Sequence, residues 1–384
     1  MIDARGVPLS LYIHLPWCER KCPYCDFNSH TGFSRDLEGS YIQALLADLD
    51  SQLRWVANRN VTSVFIGGGT PSLFSSRAIN DLLTGVVSRV SLASVAEITL
   101  ESNPGSAERD QYRGYREAGV NRLSIGVQSF NDTALQSLGR IHTGDDARRA
   151  LQYADAAGFT RWNIDLMHGL PGQTAADVGT DILEAVRLSA GHISWYQLTV
   201  ERNTRFWSSP PVLPDEATLS AIQAEGEHRL KEAGFVQYEV SAFSQPQEAC
   251  QHNINYWRFG DYIGLGAGAH GKLTLDSGQV VRTQRTRLPD DYLAEAQALP
   301  MPPPLHKPVA PSELTFEFSM NALRLRDGSP ICDFTARTGL PLSALTDAAN
   351  KAILNGWLRD PRKGTFVTTT LGYQFLDTVV ASFL

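Results

Sequence analysis

Residues 11–30 read LYIHLPWCERKCPYCDFNSH, an apolar segment that leads directly into a cysteine-rich loop. The loop contains Cys18, Cys22 and Cys25 in the spacing CxxxCxxC. Three thiolates on one short loop can bind three irons of a cubic iron–sulfur cluster. The remaining cysteines, Cys250 and Cys332, lie more than two hundred residues away. A three-cysteine cluster would therefore leave one iron free for a small-molecule ligand, which is a catalytic arrangement.

The same spacing is compatible with two other sites. Three cysteines can bind zinc when a histidine completes the site, and His14 or His30 is close enough in sequence to do so. Zinc sites of this kind usually contain paired CxxC units, and no second pair occurs here. The cysteines could also be reduced thiols without a ligand, so the residues alone leave three possibilities open.

Along the chain after the loop, segments whose apolar residues have the spacing of a strand alternate with segments whose apolar residues have the spacing of a helix. Residues 9–15 predict the strand that leads into the loop. The predicted strands that follow are Ser63–Ile66, Glu97–Glu101, Arg122–Val127, Trp162–Met167, His192–Thr199 and Val236–Phe243. The predicted helices between them are Ser40–Val56, Arg77–Val90, Ala107–Ala118, Asp145–Ala157, Ala175–Ser189 and Glu216–Ala233. This alternation predicts an α/β fold with a parallel sheet that closes partly or fully into a barrel.

Polar residues occur where these predicted strands end. They are the segment Gly67–Pro71, the segment Glu101–Asn103, Gln128, Asp165 and His168. In βα barrels the reactive groups lie at the carboxyl ends of the strands. Each residue alone is equally compatible with a helix cap or, for the glycines, with a tight turn. Five strand ends with polar groups together predict one site at this end of the barrel.

Composition and charge exclude several classes of protein. The chain has 384 residues, a net charge of −7, and 42% hydrophobic residues. A negative chain is unsuited to binding a phosphate backbone, so we expect no nucleic-acid partner. Five cysteines do not form a disulfide framework and are typical of a reducing compartment. With no signal peptide and no apolar run of membrane-spanning length, we expect a cytoplasmic protein.

The segment after the predicted barrel contains a histidine among aromatic residues. It reads CQHNINYW over residues 250–257. His252, flanked by Cys250, Tyr256 and Trp257, could bind a heme iron while the rings stack on the porphyrin. A packed histidine is the commoner explanation of such a pattern. The stretch IGLGAGAHG follows at residues 263–271, and its glycines favour close approach of the backbone to a ligand or another loop.

Six prolines in residues 299–311 predict an extended linker without regular helix or strand. We therefore divide the chain into a barrel (1–245), an extension (246–298), a linker (299–312) and a C-terminal domain (313–384). In the last, helices are predicted at Glu313–Leu323, Ile331–Thr338 and Leu342–Asn355, followed by a hairpin at Trp357–Thr370 and a closing helix from Leu371. This order is typical of a winged-helix-like module. Its seven basic and seven acidic residues favour a lid or docking role over DNA binding.

The motifs along the chain resemble those of one known superfamily. They are CxxxCxxC, YIHLPWC, FIGGGTPS, ESNPGS, SIGVQSF, LGRIH, DLMHGLPGQT and HNINYW. They are similar to the radical S-adenosylmethionine (SAM) superfamily and, within it, to the branch that contains anaerobic coproporphyrinogen III oxidase and related heme chaperones. The resemblance covers nearly the whole chain. It implies a partial (β/α)6 TIM-like barrel with a small, mainly helical, winged-helix-like C-terminal domain.

The resemblance also implies cofactors and the residues that bind them. Cys18, Cys22 and Cys25 would hold a [4Fe-4S] cluster whose fourth iron binds SAM. The SAM contacts would be Tyr12, Gly68, Gly69, Thr70, Glu101, Gln128, Arg140 and Asp165, and the heme contacts would be His252, Asn253, Tyr256 and Trp257. Cys250 stays open as an alternative heme ligand.

Three features separate the two functions within that branch. The oxidase carries CxxxCxxCxC, whereas Phe27 stands at the extra cysteine's position here, and only seventeen residues precede Cys18. The HNxxYW pattern is typical of the chaperones. We therefore expect a heme chaperone that transfers heme to recipient haemoproteins, including ones at a membrane, and that could form a homodimer. The alternative is an oxygen-independent coproporphyrinogen III dehydrogenase or another tetrapyrrole-modifying radical enzyme.

Overall fold

The computed structural model describes residues 2–56, 58–106, 109–189, 191–298 and 300–384. Residues 107 and 108, which begin one predicted helix, and residue 299, which begins the predicted linker, lie outside these ranges, as do residues 1, 57 and 190 of the predicted barrel. No helix in the described ranges is long and apolar enough to cross a membrane.

The centre of the fold is a parallel sheet whose first six strands follow one another in space as in sequence. These strands are β1 (Leu9–Leu15), β2 (Val61–Gly68), β3 (Leu92–Ser102), β4 (Arg122–Gln128), β5 (Trp162–His168) and β6 (His192–Gln197). Leu11 pairs with Val64 and Ile66 with Leu100 in register. These apolar side chains are fully buried, as expected for a parallel sheet covered by helices.

Helices connect the strands and cover the outer face of the sheet. They are α1 (Leu37–Gln52), α2 (Ser76–Val87), α3 (Arg109–Glu117), α4 (Asp132–Ser137), α5 (Gly144–Ala156), α6 (Ala175–Leu188), α7 (Arg205–Ser208) and α8 (Glu216–Glu232). Helices α5 and α6 each begin with a capping box, formed by Thr143 with Asp146 and by Thr174 with Asp177. The predicted α/β barrel is confirmed for this part of the chain.

The prediction of one further strand at residues 236–243 was wrong. The segment forms a hairpin of β7 (Val236–Glu239) and β8 (Ala242–Ser244), and β8 pairs antiparallel with β6. The apolar residues of this segment follow an alternating pattern, which is the same for one long strand and for two short ones. The hairpin ends the parallel part of the sheet, so the barrel is partial.

The extension after the barrel adds strands that the sequence did not predict. A short helix, α9 (Gln251–Trp257), precedes β9 (Asp261–Leu265), which pairs parallel with β1. Strands β10 (His270–Thr274) and β11 (Val280–Gln284) continue the sheet antiparallel beyond β9, and α10 (Pro289–Ala296) follows. The extension therefore lies beside the first barrel strand.

The prediction that the proline-rich segment excludes a strand was also wrong. Residues Leu305–Pro308 form β12, which pairs antiparallel with β11 at the edge of the sheet. All four residues of β12 are exposed. Proline is tolerated on an edge strand because the missing N–H faces solvent rather than a neighbouring strand.

The C-terminal segment contains α11 (Pro311–Ala322), β13 (Ser329–Pro330), α12 (Ile331–Thr338), α13 (Leu342–Leu354), β14 (Thr365–Phe366), α14 (Thr370–Gln374) and α15 (Leu376–Ala381). Strand β14 pairs with β13, while Leu358 and Thr368 form a bridge across the predicted hairpin. The hydrophobic cluster of this segment also includes Ile2 and Phe259. A separate domain that begins at residue 313 stays a prediction.

Candidate functional site

The cysteine loop leaves the carboxyl end of β1 and is held in a closed shape by its own backbone. The N–H of Cys18 donates to the carbonyl of His30 at 2.8 Å, and the N–H of His30 donates to Pro16 at 2.7 Å. The N–H of Cys25 donates to the carbonyl of Cys22 at 3.1 Å. All three cysteines are free thiols and partly exposed. The loop therefore presents three potential metal ligands from one fixed backbone.

The triple glycine at the end of β2 packs directly on this loop. The N–H of Gly69 donates to the carbonyl of Leu15 at 2.8 Å, and the N–H of Thr70 donates to Trp17 at 2.7 Å. A Cβ atom at Gly69 would lie 2.5 Å from the carbonyl oxygen of Trp17. Glycine is thus required at this position because the two backbones touch.

The thiols border a cavity of about 470 Å³, which we call the cysteine cavity. It contains seven of the eight residues predicted to contact SAM, and Tyr12 is the exception. Its lining comprises the three cysteines with Gly68, Gly69, Thr70, Glu101, Ser124, Gly126, Gln128, Arg140, Asp165 and Tyr196, among others. The structure therefore brings residues of β2, β3, β4 and β5 to the thiols, as expected for the carboxyl ends of barrel strands. Asp165 lies in the middle of β5 rather than at its end.

Two buried carboxyl groups give the cysteine cavity its electrostatic character. Burial, together with the nearby charge of Asp165, raises the pKa of Glu101 to about 7. Burial also raises the pKa of Asp165, although hydrogen bonds from Asn163 at 2.7 Å and Ser124 at 3.0 Å oppose the shift. The Glu101 carboxylate accepts a hydrogen bond from the N–H of Gly68 at 3.0 Å. Two adjacent carboxyls favour a cationic or hydroxyl-bearing ligand.

Arg140 places a positive charge in the same cavity. Its Nη1 lies 3.5 Å from the Sγ of Cys22, and its Nη2 donates to the carbonyl of Gly126 at 2.8 Å. Its Nε is buried with no partner among the described residues. Gln128 has a φ of 68°, a left-handed conformation uncommon outside glycine, and its Oε1 accepts a hydrogen bond from Tyr196 at 2.8 Å. Such strain is typical of functional sites.

This set of donors fits an iron–sulfur cluster with a zwitterionic ligand. Cysteine thiolates are the usual ligands of such clusters. A guanidinium beside two carboxyls suits a molecule with both a carboxylate and an ammonium group, and the unpartnered Nε of Arg140 is a donor that such a ligand would satisfy. The residues present are therefore suited to a [4Fe-4S] cluster with SAM.

The two histidines considered for a zinc site are engaged elsewhere. The ring nitrogens of His14 contact the hydroxyl of Tyr12 at 2.9 Å and the carbonyl of Asn28 at 2.8 Å. The Nε2 of His30 contacts the side-chain oxygen of Asn28 at 3.2 Å. Within the described part of the chain, no group of three or more His, Cys, Asp and Glu side chains is arranged to hold a single metal ion. The hydrogen bonds of His14 and His30 disfavour the zinc alternative.

A second, larger cavity of about 740 Å³ lies next to the first, and we call it the α9 cavity. The two cavities share Phe27, Gly68 and Glu101 as lining residues. The α9 cavity contains all four residues predicted to contact heme, which are His252, Asn253, Tyr256 and Trp257, and it also contains Tyr12. Phe27, whose side chain is 61% exposed, is thus part of the boundary between the two cavities.

His252 is held in one orientation by the barrel strand β2. Its ring stacks on Phe65 at 5.0 Å between centroids, and its Nδ1 lies 3.3 Å from the hydroxyl of Ser63. Burial lowers the pKa of His252 to about 4, so the imidazole is neutral at pH 7. Its Nε2 has no protein partner among the described residues. A neutral imidazole with one free ring nitrogen is the form that binds heme iron.

Helix α9 is anchored by a buried carboxylate of β3. The Glu97 side chain accepts hydrogen bonds from the N–H of Gln251 at 2.9 Å and from the N–H of His252 at 3.3 Å. Its other oxygen pairs with Arg122 at 3.3 Å, and both side chains are buried. Since no side chain of α9 caps its own first turn, Glu97 fixes the start of the helix.

Cys250 does not line the α9 cavity. Its thiol faces Glu97 at 3.3 Å and is fully buried, and it borders a separate cavity of about 130 Å³ inside the barrel. Burial, followed by the charge of Glu97, raises the pKa of Cys250 to about 12. A buried, protonated thiol outside the α9 cavity is poorly suited to bind iron. The alternative of Cys250 as a heme ligand is therefore not supported.

The remaining residues of α9 are also held in place. The Asn253 side chain donates to the hydroxyl of Tyr238 at 3.1 Å, and Tyr256 accepts from Tyr262 at 3.0 Å. The Trp257 ring lies 4.3 Å from the guanidinium carbon of Arg324 in the C-terminal segment.

Several lining residues were missed by the sequence analysis. Those of the cysteine cavity include Ser124, Gly126 and Tyr196, and those of the α9 cavity include Phe65, His270, Gln284 and Arg287. Tyr196 lies near the end of β6, where the barrel rule could have indicated it. No local signal marks Gln284 or Arg287. His168, which the sequence analysis singled out, lines neither cavity and packs on Trp195 at 4.1 Å between ring centroids.

Comparison with known proteins agrees with this architecture. Residues 12–185 match the model of the radical SAM superfamily. The chain is 46% identical over 381 residues to the heme chaperone HemW of Escherichia coli and 44% identical to that of Haemophilus influenzae, with 98% of each chain covered in both cases. It is 38% identical to the mitochondrial radical S-adenosyl methionine domain-containing protein 1 of Mus musculus, over 77% of this chain and 70% of that protein.

Among solved structures, coproporphyrinogen III oxidase (HemN) from Escherichia coli has a TM-score of 0.82, covering 99% of this chain and 91% of that chain. The two sequences are only 20% identical, so this likeness shows the fold alone. Fold and cysteine cavity together define a protein of the radical SAM class. At 46% identity over its whole length, the chain belongs to the HemW family.

Proposed function

We propose that this protein is a heme chaperone. Heme binds in the α9 cavity, a [4Fe-4S] cluster and SAM bind in the cysteine cavity, and heme is handed to recipient haemoproteins. The observation that carries the proposal is the shared wall: Phe27, Gly68 and Glu101 line both cavities. The two ligands would therefore bind on either side of the same residues. The names of the related proteins support the same function.

In the cysteine cavity, Cys18, Cys22 and Cys25 would bind the cluster. Glu101 and Asp165 would accept hydrogen bonds from the ammonium group or ribose hydroxyls of SAM, and Arg140 would pair with its carboxylate. When bound and reduced, the cluster would supply the electron for cleavage of the sulfonium bond of SAM. The role of the protein would be to position the two cofactors against each other.

In the α9 cavity, the free Nε2 of His252 would bind the heme iron. Tyr256 and Trp257 supply aromatic surface for the porphyrin, and Asn253 supplies an amide. Since Glu97 fixes the start of α9, the histidine is positioned before heme arrives. Holding heme requires only these binding contacts, so SAM cleavage is either regulatory or without a role in transfer.

We further propose that the protein acts in the cytoplasm, without nucleic acid, and that its recipients include haemoproteins at a membrane. A homodimer is part of the same proposal. The net charge of −7 supports the absence of nucleic acid. Sedimentation of the chain with and without heme tests the dimer, because a single species of monomer mass in both samples would contradict it.

One anaerobic experiment tests the function against its alternative. The reconstituted protein is incubated with reductant and SAM in two parallel samples, one loaded with heme and the other mixed with coproporphyrinogen III. A chaperone returns its heme unchanged and leaves coproporphyrinogen III intact, as measured by mass spectrometry of the extracted tetrapyrroles. Formation of protoporphyrinogen would overturn the proposal in favour of the dehydrogenase. Failure to retain heme would overturn it outright.

A further inference from the structure

One row of residues crosses the sheet beneath the α9 cavity. Phe65 of β2 pairs with Tyr12 of β1, which pairs with Gly264 of β9. Beyond β9, His270 of β10 pairs with Gln284 of β11. Residues paired in this way have side chains on the same face of a sheet. The four side chains of this row all line the cavity, so the row forms its floor.

The middle of this floor is bare backbone. A Cβ atom at Gly264 would lie 2.1 Å from the carbonyl oxygen of His270, so only glycine fits there. The floor is therefore aromatic at the β2 end, where Phe65 and His252 stack, and polar at the β11 end. A flat ligand with one apolar edge and one polar edge would bind with its apolar edge toward β2.

Arg287 stands at the polar end, three residues beyond Gln284. Its Nε contacts the side-chain oxygen of Asn28 at 3.2 Å. The amide nitrogen of Asn28 donates to the carbonyl of Arg287 at 2.9 Å and to that of Ala267 at 3.0 Å. The backbone and the side chain of Arg287 are thus both fixed to the cysteine loop. Among the described residues, the guanidinium of Arg287 forms no ion pair and hydrogen-bonds only through its Nε, so its two terminal nitrogens are available to a ligand.

The two ends of the α9 cavity also differ in charge, with a carboxyl group at the β2 end and the guanidinium of Arg287 at the β11 end. Glu101, next to the glycines that end β2, places a carboxyl group at the β2 end. The remaining acidic lining residue, Asp26, is exposed on the cysteine loop. A ligand with carboxylates at one edge is therefore favoured with that edge toward Arg287 and disfavoured with it toward Glu101.

Given the proposed function, we propose that Arg287 binds a propionate carboxylate of heme and so sets the direction in which heme enters the α9 cavity. Strands β2 and β11 are four strand positions apart, about 19 Å along the sheet. This distance separates Phe65 at one end of the row from Gln284 at the other. With its iron bound to His252, heme could still rotate about the iron–nitrogen bond, and Arg287 would select the orientation in which the carboxylates face the β11 end. A guanidinium is suited to bind a carboxylate through two parallel hydrogen bonds.

The test compares heme with heme dimethyl ester, in which the carboxylates are blocked. For the wild-type protein, we expect the Kd for the ester to be about tenfold higher than that for heme, the usual effect of one charged hydrogen-bonded pair. Arg287→Leu should bind heme about tenfold more weakly while binding the ester as the wild type does. Arg287→Lys should fall between the two, because lysine keeps the charge but not the two parallel hydrogen bonds.

Arg54→Leu is the matched control, because Arg54 packs on Trp55 and lines neither cavity. This variant should keep the wild-type preference for heme. Equal binding of heme and ester by the wild-type protein would overturn the proposal without any variant. It would also be overturned if Arg287→Leu kept the preference. Neither result affects the proposed function, which is tested separately by heme retention and by the fate of coproporphyrinogen III.

Discussion

The cysteine cavity and the α9 cavity share three wall residues but are built in different ways. The cysteine cavity is formed at the carboxyl ends of strands β1 to β6, and most of its polar residues lie on those strands or in the loops that follow them. The α9 cavity combines β1 and β2 with a helix and a hairpin from residues 251–287. The first follows a general rule of parallel barrels, whereas the second depends on the pairing of β9 with β1.

The two cavities are also suited to different ligands. Carboxyl groups, a guanidinium and thiols converge in the cysteine cavity, which suits a polar cofactor and a metal cluster. Aromatic rings dominate the α9 cavity, together with three histidines, His14, His252 and His270, whose pKa values are lowered by burial. Two binding sites with one common boundary can be separated by mutation.

The largest effect is expected for Cys22→Ser, which removes one cluster ligand. Anaerobically reconstituted wild-type protein should contain about four irons and four sulfides per chain. The variant should lose nearly all of both and still bind heme, because Cys22 does not line the α9 cavity. Cys332→Ser, at an exposed cysteine of the C-terminal segment, is the control. Loss of heme binding together with the cluster would contradict the separation of the cavities.

The next largest effect is expected for Glu97→Gln. Breaking its buried pair with Arg122 should cost roughly 3 kcal/mol of unfolding free energy. Heme affinity should fall as well, since a neutral amide holds the first turn of α9 more weakly than the carboxylate does, whereas iron content should stay normal. Urea unfolding and heme titration measure the two effects.

Asp48→Asn is the matched control for Glu97→Gln, because it breaks another buried pair, with Arg285, outside both cavities. It should lose comparable stability and keep its heme affinity. An equal loss of heme affinity in both variants would mean that Glu97 acts through stability alone.

His252→Ala should weaken heme binding at least tenfold and change the absorption spectrum, because an iron ligand is removed. Its iron and sulfide content should match that of the wild type. His228→Ala, an exposed histidine on α8, should leave both measurements unchanged. An unchanged spectrum in His252→Ala would exclude this residue as the ligand.

Phe27→Ala should have a smaller effect, because this partly exposed ring belongs to the common boundary. We expect SAM and heme to bind a few-fold more weakly, since each loses apolar contact with the ring. Isothermal titration of each ligand in the presence and absence of the other measures the change. If neither affinity changes, Phe27 is not part of the boundary.

The smallest expected effect is a pH dependence caused by Glu101. Burial and Asp165 raise its pKa from the ordinary 4.5 to about 7 in the folded protein. The folded state therefore binds this proton more tightly than the unfolded state, and its stabilisation is present below pH 4.5 and lost as the pH rises through 7. Thermal unfolding of the ligand-free protein should show this loss in the wild type and less of it in Glu101→Gln. Identical pH profiles would contradict the prediction.

The barrel and much of the cysteine cavity could be predicted from the amino-acid sequence alone. The CxxxCxxC loop, the triple glycine and Gln128 are local features, and a parallel barrel brings the ends of its strands together whatever the details of packing. Seven of the eight residues predicted to contact SAM lie in that cavity, and five of them are at or next to the ends of β2, β3 and β4, whereas Asp165 lies in the middle of β5 and Arg140 follows α4. His252 and its aromatic neighbours were likewise found from one short motif.

The position of the His252 motif relative to the barrel depends on the tertiary structure. Nothing in the periodicity of residues 261–284 indicates that β9 pairs with β1, some 250 residues earlier, since pairing between distant segments is set by the packing of the whole chain. That pairing places His252 on Phe65 and moves Tyr12 to the α9 cavity. It also brings Arg287 to the cysteine loop through Asn28, a contact between residues 259 positions apart.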